Sequence, residues 1–151
     1  MIKKYISAIL VSCLLVISLA WKPVQADAPT KSKDEIAQEQ FSKDLDDWLY
    51  KLAMCESTNN PKAVNPVDSD GKPAYGLYQY KLGTFLGLSK KYNVFPELTV
   101  DTVHKYAMDG EKSHHLTREV IKSNPKEADQ WGCRFKTSVG KPPALKDYLQ
   151  E

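Results

Sequence analysis

One apolar stripe does most to limit what this chain can fold into. Ile36, Phe41, Leu45, Trp48, Leu49 and Leu52 recur at close to helical spacing, which places them on a single face of an α-helix. Ser32 or Asp34 can cap its start, and acidic residues gather in its first turns. Asn59, Asn60 and Pro61 supply the stop, because asparagine tolerates a left-handed C-cap and proline cannot continue a helix. A helix with so long an apolar face needs partners along its length. The stripe therefore predicts a packed, mainly α domain built around it.

The rest of the chain fits that expectation with one interruption. Residues 57–75 are dense in Asn, Pro, Ser, Asp and Gly and show no periodicity; "DSDGKP" is a turn signal suited to the tip of a small hairpin. Helical patterns return at about 82–92, 100–109 and 111–122. Asn124-Pro125 breaks the chain, a short helix is expected within 126–136, and "GKPPALKDYLQE" reads as a proline-rich tail with one last helical turn. No internal repeat is present. The expected fold is mainly α (of the α+β kind), a helical domain with a small irregular or β-hairpin insertion after its first helix.

The opening "MIKKYISAILVSCLLVISLAWKPVQA" has a basic start, an apolar run from Ile6 to Ala20 and a small-x-small site at Val24-Gln25-Ala26. It reads as a signal peptide spanning residues 1–26, followed by a flexible leader at 27–33 and a domain at 34–151. The apolar run is shorter than the ~20 residues a membrane span needs, so export without stable membrane insertion is expected. Leu10-Val11-Ser12-Cys13 resembles a lipobox, but anchoring at Cys13 would leave an apolar segment directly after the modified cysteine. Removing Lys3, Lys4 and Lys22 takes the 21 basic residues to 18, against 19 acidic. With a net charge near −1, bulk charge offers no case for nucleic acid or an anionic membrane as partner. Cys55 and Cys133 remain after cleavage. In an exported chain they suggest a disulfide, the alternative being two buried thiols. Neither belongs to a C-x-x-C pair, and His104, His114 and His115 read as exposed helix residues without a completing ligand set. No metal and no cofactor is expected.

Glu56 stands four residues after Leu52 and eight after Trp48, so helical phase puts it on the core-facing stripe. Burial and the negative end of the helix dipole both disfavour its ionised form and raise its pKa. A carboxyl that keeps its proton near neutrality is what a general acid requires; the plain alternative is a solvated surface acid. Asp68 and Asp70 follow in the turn-rich segment, as catalytic company or as Asx-turn residues. Tyr75, Tyr78 and Tyr80 offer faces for sugar rings or ordinary packing.

"CES" at 55–57, followed by "GLYQ" at 76–79, resembles the soluble lytic transglycosylase branch of the lysozyme-like superfamily. There a Glu-Ser pair ends a helix, and a Gly-Leu-x-Gln element follows a loop. "WGC" at 131–133 and "GKPP" at 140–143 are similar to the tails of small exported members. The resemblance implies a lysozyme-like fold, a peptidoglycan glycan strand as partner, a monomer, and Glu56 as the acid that cleaves the bond from N-acetylmuramic acid to N-acetylglucosamine. It implies that Ser57 orients the carboxyl or contacts sugar, and that Tyr78 and Gln79 line the groove. Gly76 would let the backbone come close. The family's third motif, whose tyrosine touches the glutamate, has its nearest counterpart in "HKYAMDGEK". The match is poor, and Tyr106 is its candidate. A hydrolase with Asp68 or Asp70 as second carboxylate, or a non-catalytic peptidoglycan-binding module, would use the same fold.

Overall fold

The computed structural model describes residues 31–149. The expected signal peptide, Cys13 and most of the expected leader lie outside the described residues. Residues 32–149 belong to one compact unit, which is mainly helical. Its spine is α1 (Lys33–Ser57), capped by a reciprocal capping box between Ser32 and Glu35. Ser32 and Lys33 thus belong to the cap and first turn rather than to the leader.

The stripe on α1 forms the core as expected from Phe41 onward; Leu45, Leu49 and Leu52 are fully buried. Ile36 departs from the expectation and is 55% exposed. The reason is length. At ~1.5 Å rise per residue, α1 far outreaches the 14-residue helix that packs against it, so its first turns project past the core.

After α1 the chain makes a two-residue-by-two-residue antiparallel hairpin, β1 (Val64–Asn65) with β2 (Ala74–Tyr75), in register Val64 with Tyr75 and Asn65 with Ala74. "DSDGKP" lies in the loop joining these strands, where the amide of Asp68 bonds the carbonyl of Lys72 at 3.1 Å. Three helices follow: α2 (Leu82–Lys91), α3 (Val103–Ala107) and α4 (Gly110–Ser123). The expected helix at 100–109 contracts to α3, because residues 99–102 form turns closed by the Thr99 and Thr102 hydroxyls. The expected helix within 126–136 is two 3₁₀ segments, η1 (Pro125–Gln130) and η2 (Gly132–Phe135), split at Trp131. A last 3₁₀ turn, η3 (Leu145–Asp147), closes the tail.

Helix α4 packs on α1, α2, α3 and η1, burying Leu116, Val120 and Ile121 against the α1 stripe. The tail returns along α1: Trp48 Nε1 donates to the Gly140 carbonyl (3.1 Å), and the Tyr148 hydroxyl donates to Asp44 (2.7 Å). Among the described residues no helix is long and apolar enough to cross a membrane.

Candidate active site

Helix α1 delivers Glu56 in its final turn, one residue before the helix ends at Ser57. Thr58 and Asn59 both adopt left-handed backbone, with φ of 55° and 59°, and turn the chain away. The adjacent Cys55 is joined by a disulfide to Cys133, 78 residues later, with Cα atoms 6.0 Å apart. That bond brings η2 against the end of α1, and the backbone N–H of Cys133 donates to Glu56 Oε1 at 3.2 Å.

Glu56 lines a cavity of about 540 Å³ together with Asp68, Gln79, Lys81, Trp131 and Lys136. This size lies within the roughly 300–1,000 Å³ usual for ligand clefts. The Glu56 carboxyl is half-buried, and loss of solvation pushes its pKa above the ordinary value. The Cys133 N–H and the Lys136 charge pull the other way, while the Asp68 charge adds to the rise. The net shift is upward. Asp68 is moved in the opposite direction, chiefly by its hydrogen bond to Lys81. One cavity thus holds a carboxyl biased toward its acid form and another biased toward its anion.

The hairpin loop contributes another wall, and Lys81 holds it. The Lys81 ammonium reaches Asp68 Oδ2 (2.9 Å), Asp70 Oδ1 (2.8 Å) and the Lys72 carbonyl (2.7 Å). Three acceptors match the three donors of one ammonium. Asp68 faces the Glu56 cavity, whereas Asp70 borders a separate depression with Tyr75, Pro73 and Leu82.

The Gly-Leu-Tyr-Gln element divides between lining and support. Gln79, left-handed at φ 50°, lines the cavity, and its amide nitrogen bonds the Gly76 carbonyl at 2.9 Å. Gly76 is left-handed too, and a Cβ there would sit 2.0 Å from the Ala107 carbonyl oxygen. It therefore allows a close approach, made by the backbone of α3. Tyr78 is buried behind the cavity. Its carbonyl accepts from Trp131 Nε1 (2.8 Å), and its hydroxyl meets His114 Nδ1 (2.9 Å). Burial pushes the Tyr78 phenol pKa up and depresses that of His114. His114 is accordingly half-buried, unlike His104 and His115, which are exposed.

Ser57 is buried beneath the site rather than lining it: its hydroxyl donates to the Leu77 carbonyl at 2.7 Å and accepts from the Asn60 amide. It ties the end of α1 to the Gly-Leu-Tyr-Gln turn. Tyr80, also buried, bonds Thr117 (2.9 Å) and packs edge-on against Trp131. Tyr106 donates to Glu97 at 2.9 Å and is not among the residues lining the cavity.

Lys81 and Lys136 are charged site residues that sequence reasoning did not single out, and Trp131 was marked only through the resemblance of "WGC". For Lys136 and Trp131 a signal existed: if Cys55 pairs with Cys133, the neighbours of Cys133 must lie beside Glu56. Lys81 carried no such signal. Among the described residues no group of three or more His, Cys, Asp or Glu side chains is placed to hold a metal ion. No family model, curated protein or solved structure matches this chain.

Proposed function

We propose that this protein is a lytic transglycosylase that cleaves the β-1,4 bond from N-acetylmuramic acid to N-acetylglucosamine in peptidoglycan. The observation that carries the reading is the half-buried Glu56 carboxyl, raised in pKa and lining a cavity of about 540 Å³. In this reaction the Glu56 proton goes to the glycosidic oxygen as the bond to C1 breaks. The substrate N-acetyl group stabilises the positive charge that develops. The Glu56 carboxylate then removes a proton from the muramoyl C6 hydroxyl, whose oxygen attacks C1 and closes a 1,6-anhydro ring. Glu56 recovers its proton and no water is consumed, so a single carboxyl suffices.

Asp68 supports a second reading. An ionised carboxylate on the same cavity is what a lysozyme-type hydrolase uses to steady the cation or to direct water. Its tie to Lys81 offsets its charge and lowers its basicity, which favours the transglycosylase.

The test is muropeptide analysis of purified sacculi incubated with wild type or Glu56→Gln. Wild type should release 1,6-anhydro products, and Glu56→Gln should be slower by on the order of 10³-fold. Reducing ends in place of anhydro rings would establish the hydrolase. Binding without cleavage by folded wild type would leave a non-catalytic peptidoglycan-binding module.

A further inference from the structure

A second depression, of about 590 Å³, has a very different character. Lys122, Lys126, Lys141 and Lys146 all line it, and so does Arg134. The segment from 122 to 146 contains two acids, Glu127 and Asp129, and both are engaged. Glu127 is bonded to Lys91 at 2.5 Å, and Asp129 to Arg134 at 2.5 Å. The four lysine ammoniums have no ion-pair partner among the described residues, and they gather around one hollow. Like charges gathered around one hollow repel unless an anion joins them. In an expected mature chain of net charge near −1, this concentration is local and is not a consequence of bulk composition.

Two further observations define the anion. Pro125, Pro142, Ala144 and Leu145 line the same hollow, which suits a chain with small alkyl groups better than a bare phosphate polymer. The basic hollow and the candidate active site draw on the same short segment of chain. Gln130, Trp131, Gly132 and Cys133 line the Glu56 cavity, while their immediate neighbours Asp129 and Arg134 line the basic one.

We infer that this basic hollow binds the carboxylates of the peptide stems carried by the glycan strand. The inference rests on the peptidoglycan reading and adds a determinant to it: the protein prefers strands with stems to bare glycan. The four lysines are exposed, so their replacement by glutamine leaves the core untouched.

The experiment measures binding in the Glu56→Gln background, with and without Lys122, Lys126, Lys141 and Lys146→Gln, the fold being checked by circular dichroism. Three probes are compared at low salt: soluble glycan strands with stems, the same strands stripped by an amidase, and free stem peptide followed by NMR. Stems should improve affinity about tenfold. The quadruple variant should lose that gain without weakening its hold on stripped strands, and added salt should erase the gain because these charges are exposed. Equal affinity for stemmed and stripped strands overturns the inference, as does a preference that survives in the quadruple variant. Equally strong competition by polyphosphate overturns the peptide assignment. If free stem shifts the lysine-lined resonances while no glycan binds, the basic site stands and the glycan-cleaving reading falls. If no probe binds, both fall.

Discussion

The two walls of the candidate active site are built by opposite means. The Glu56 wall is the end of a long helix, anchored by the buried α1 stripe, by the Cys55–Cys133 bond and by Ser57 beneath it. The Asp68 wall is the loop of a hairpin with only two residue pairs, held chiefly by one lysine through three contacts. One wall rests on covalent bonding and hydrophobic burial, the other on solvent-accessible charge. Exposed ion pairs contribute little stability and weaken with salt. Glu56 is therefore positioned by the stronger ties, while the Asp68 carboxylate sits on the part of the cavity held by the weaker ones.

The largest expected effect comes from breaking the Glu56 wall. Replacing Cys55 and Cys133 together by alanine should cost about 2–4 kcal/mol, because a 78-residue separation closes a long loop in the unfolded chain. On the proposed reading it should also slow cleavage at least about tenfold, since the Cys133 amide that holds Glu56 loses its tether. Denaturant unfolding and sacculus cleavage read the two effects. A double variant with unchanged stability and activity would show that the Glu56 wall needs no staple.

Lys81→Met attacks the other wall and should leave global stability nearly intact. Amide exchange at Asp68 and Gly71, whose N–H groups bond within the loop, should rise sharply, with cleavage falling on the order of tenfold. Unchanged exchange would mean that the loop is held by something other than this lysine.

Asp68→Asn sharpens the division of roles. Its charge helps to raise the Glu56 pKa, so its removal should move the alkaline limb of the activity profile to lower pH. Turnover at the optimum should stay within about threefold if Glu56 acts alone. A loss of on the order of 10³-fold would make Asp68 a catalytic carboxylate and replace the proposed transglycosylase by a hydrolase.

The smallest effect is thermodynamic. Glu56 has a higher pKa folded than unfolded, so the folded state binds the extra proton and loses stability as pH rises from the ordinary value of 4.5 through the raised one. Glu56→Gln should therefore melt higher than wild type near neutrality, by on the order of 2 °C, and equally at pH well below 4.5. A pH-independent difference would show that burial does not strain this carboxyl.

Much of this was legible in the sequence because it depends on local rules. Helical phase alone put Glu56 on the stripe of Leu52 and Trp48, and turn chemistry alone marked the "DSDGKP" tip. Ile36 was misplaced because periodicity reports which face a residue shares, not where the partner helix stops. His114 was misread because nothing near it in sequence reveals that Tyr78 reaches it from 36 residues away.

What the sequence by itself determined is the catalytic candidate and its bias toward the acid form, since periodicity and the position of a helix end are encoded within a dozen residues. What only the tertiary structure decided is the company that carboxyl keeps. Lys81 gathers Asp68 and Asp70 yet leaves only Asp68 on the Glu56 cavity, Ser57 turns beneath the site, and four distant lysines converge on a neighbouring hollow. Those outcomes depend on how separate elements pack, and a packing contact between residues far apart in the chain leaves no periodic trace in it.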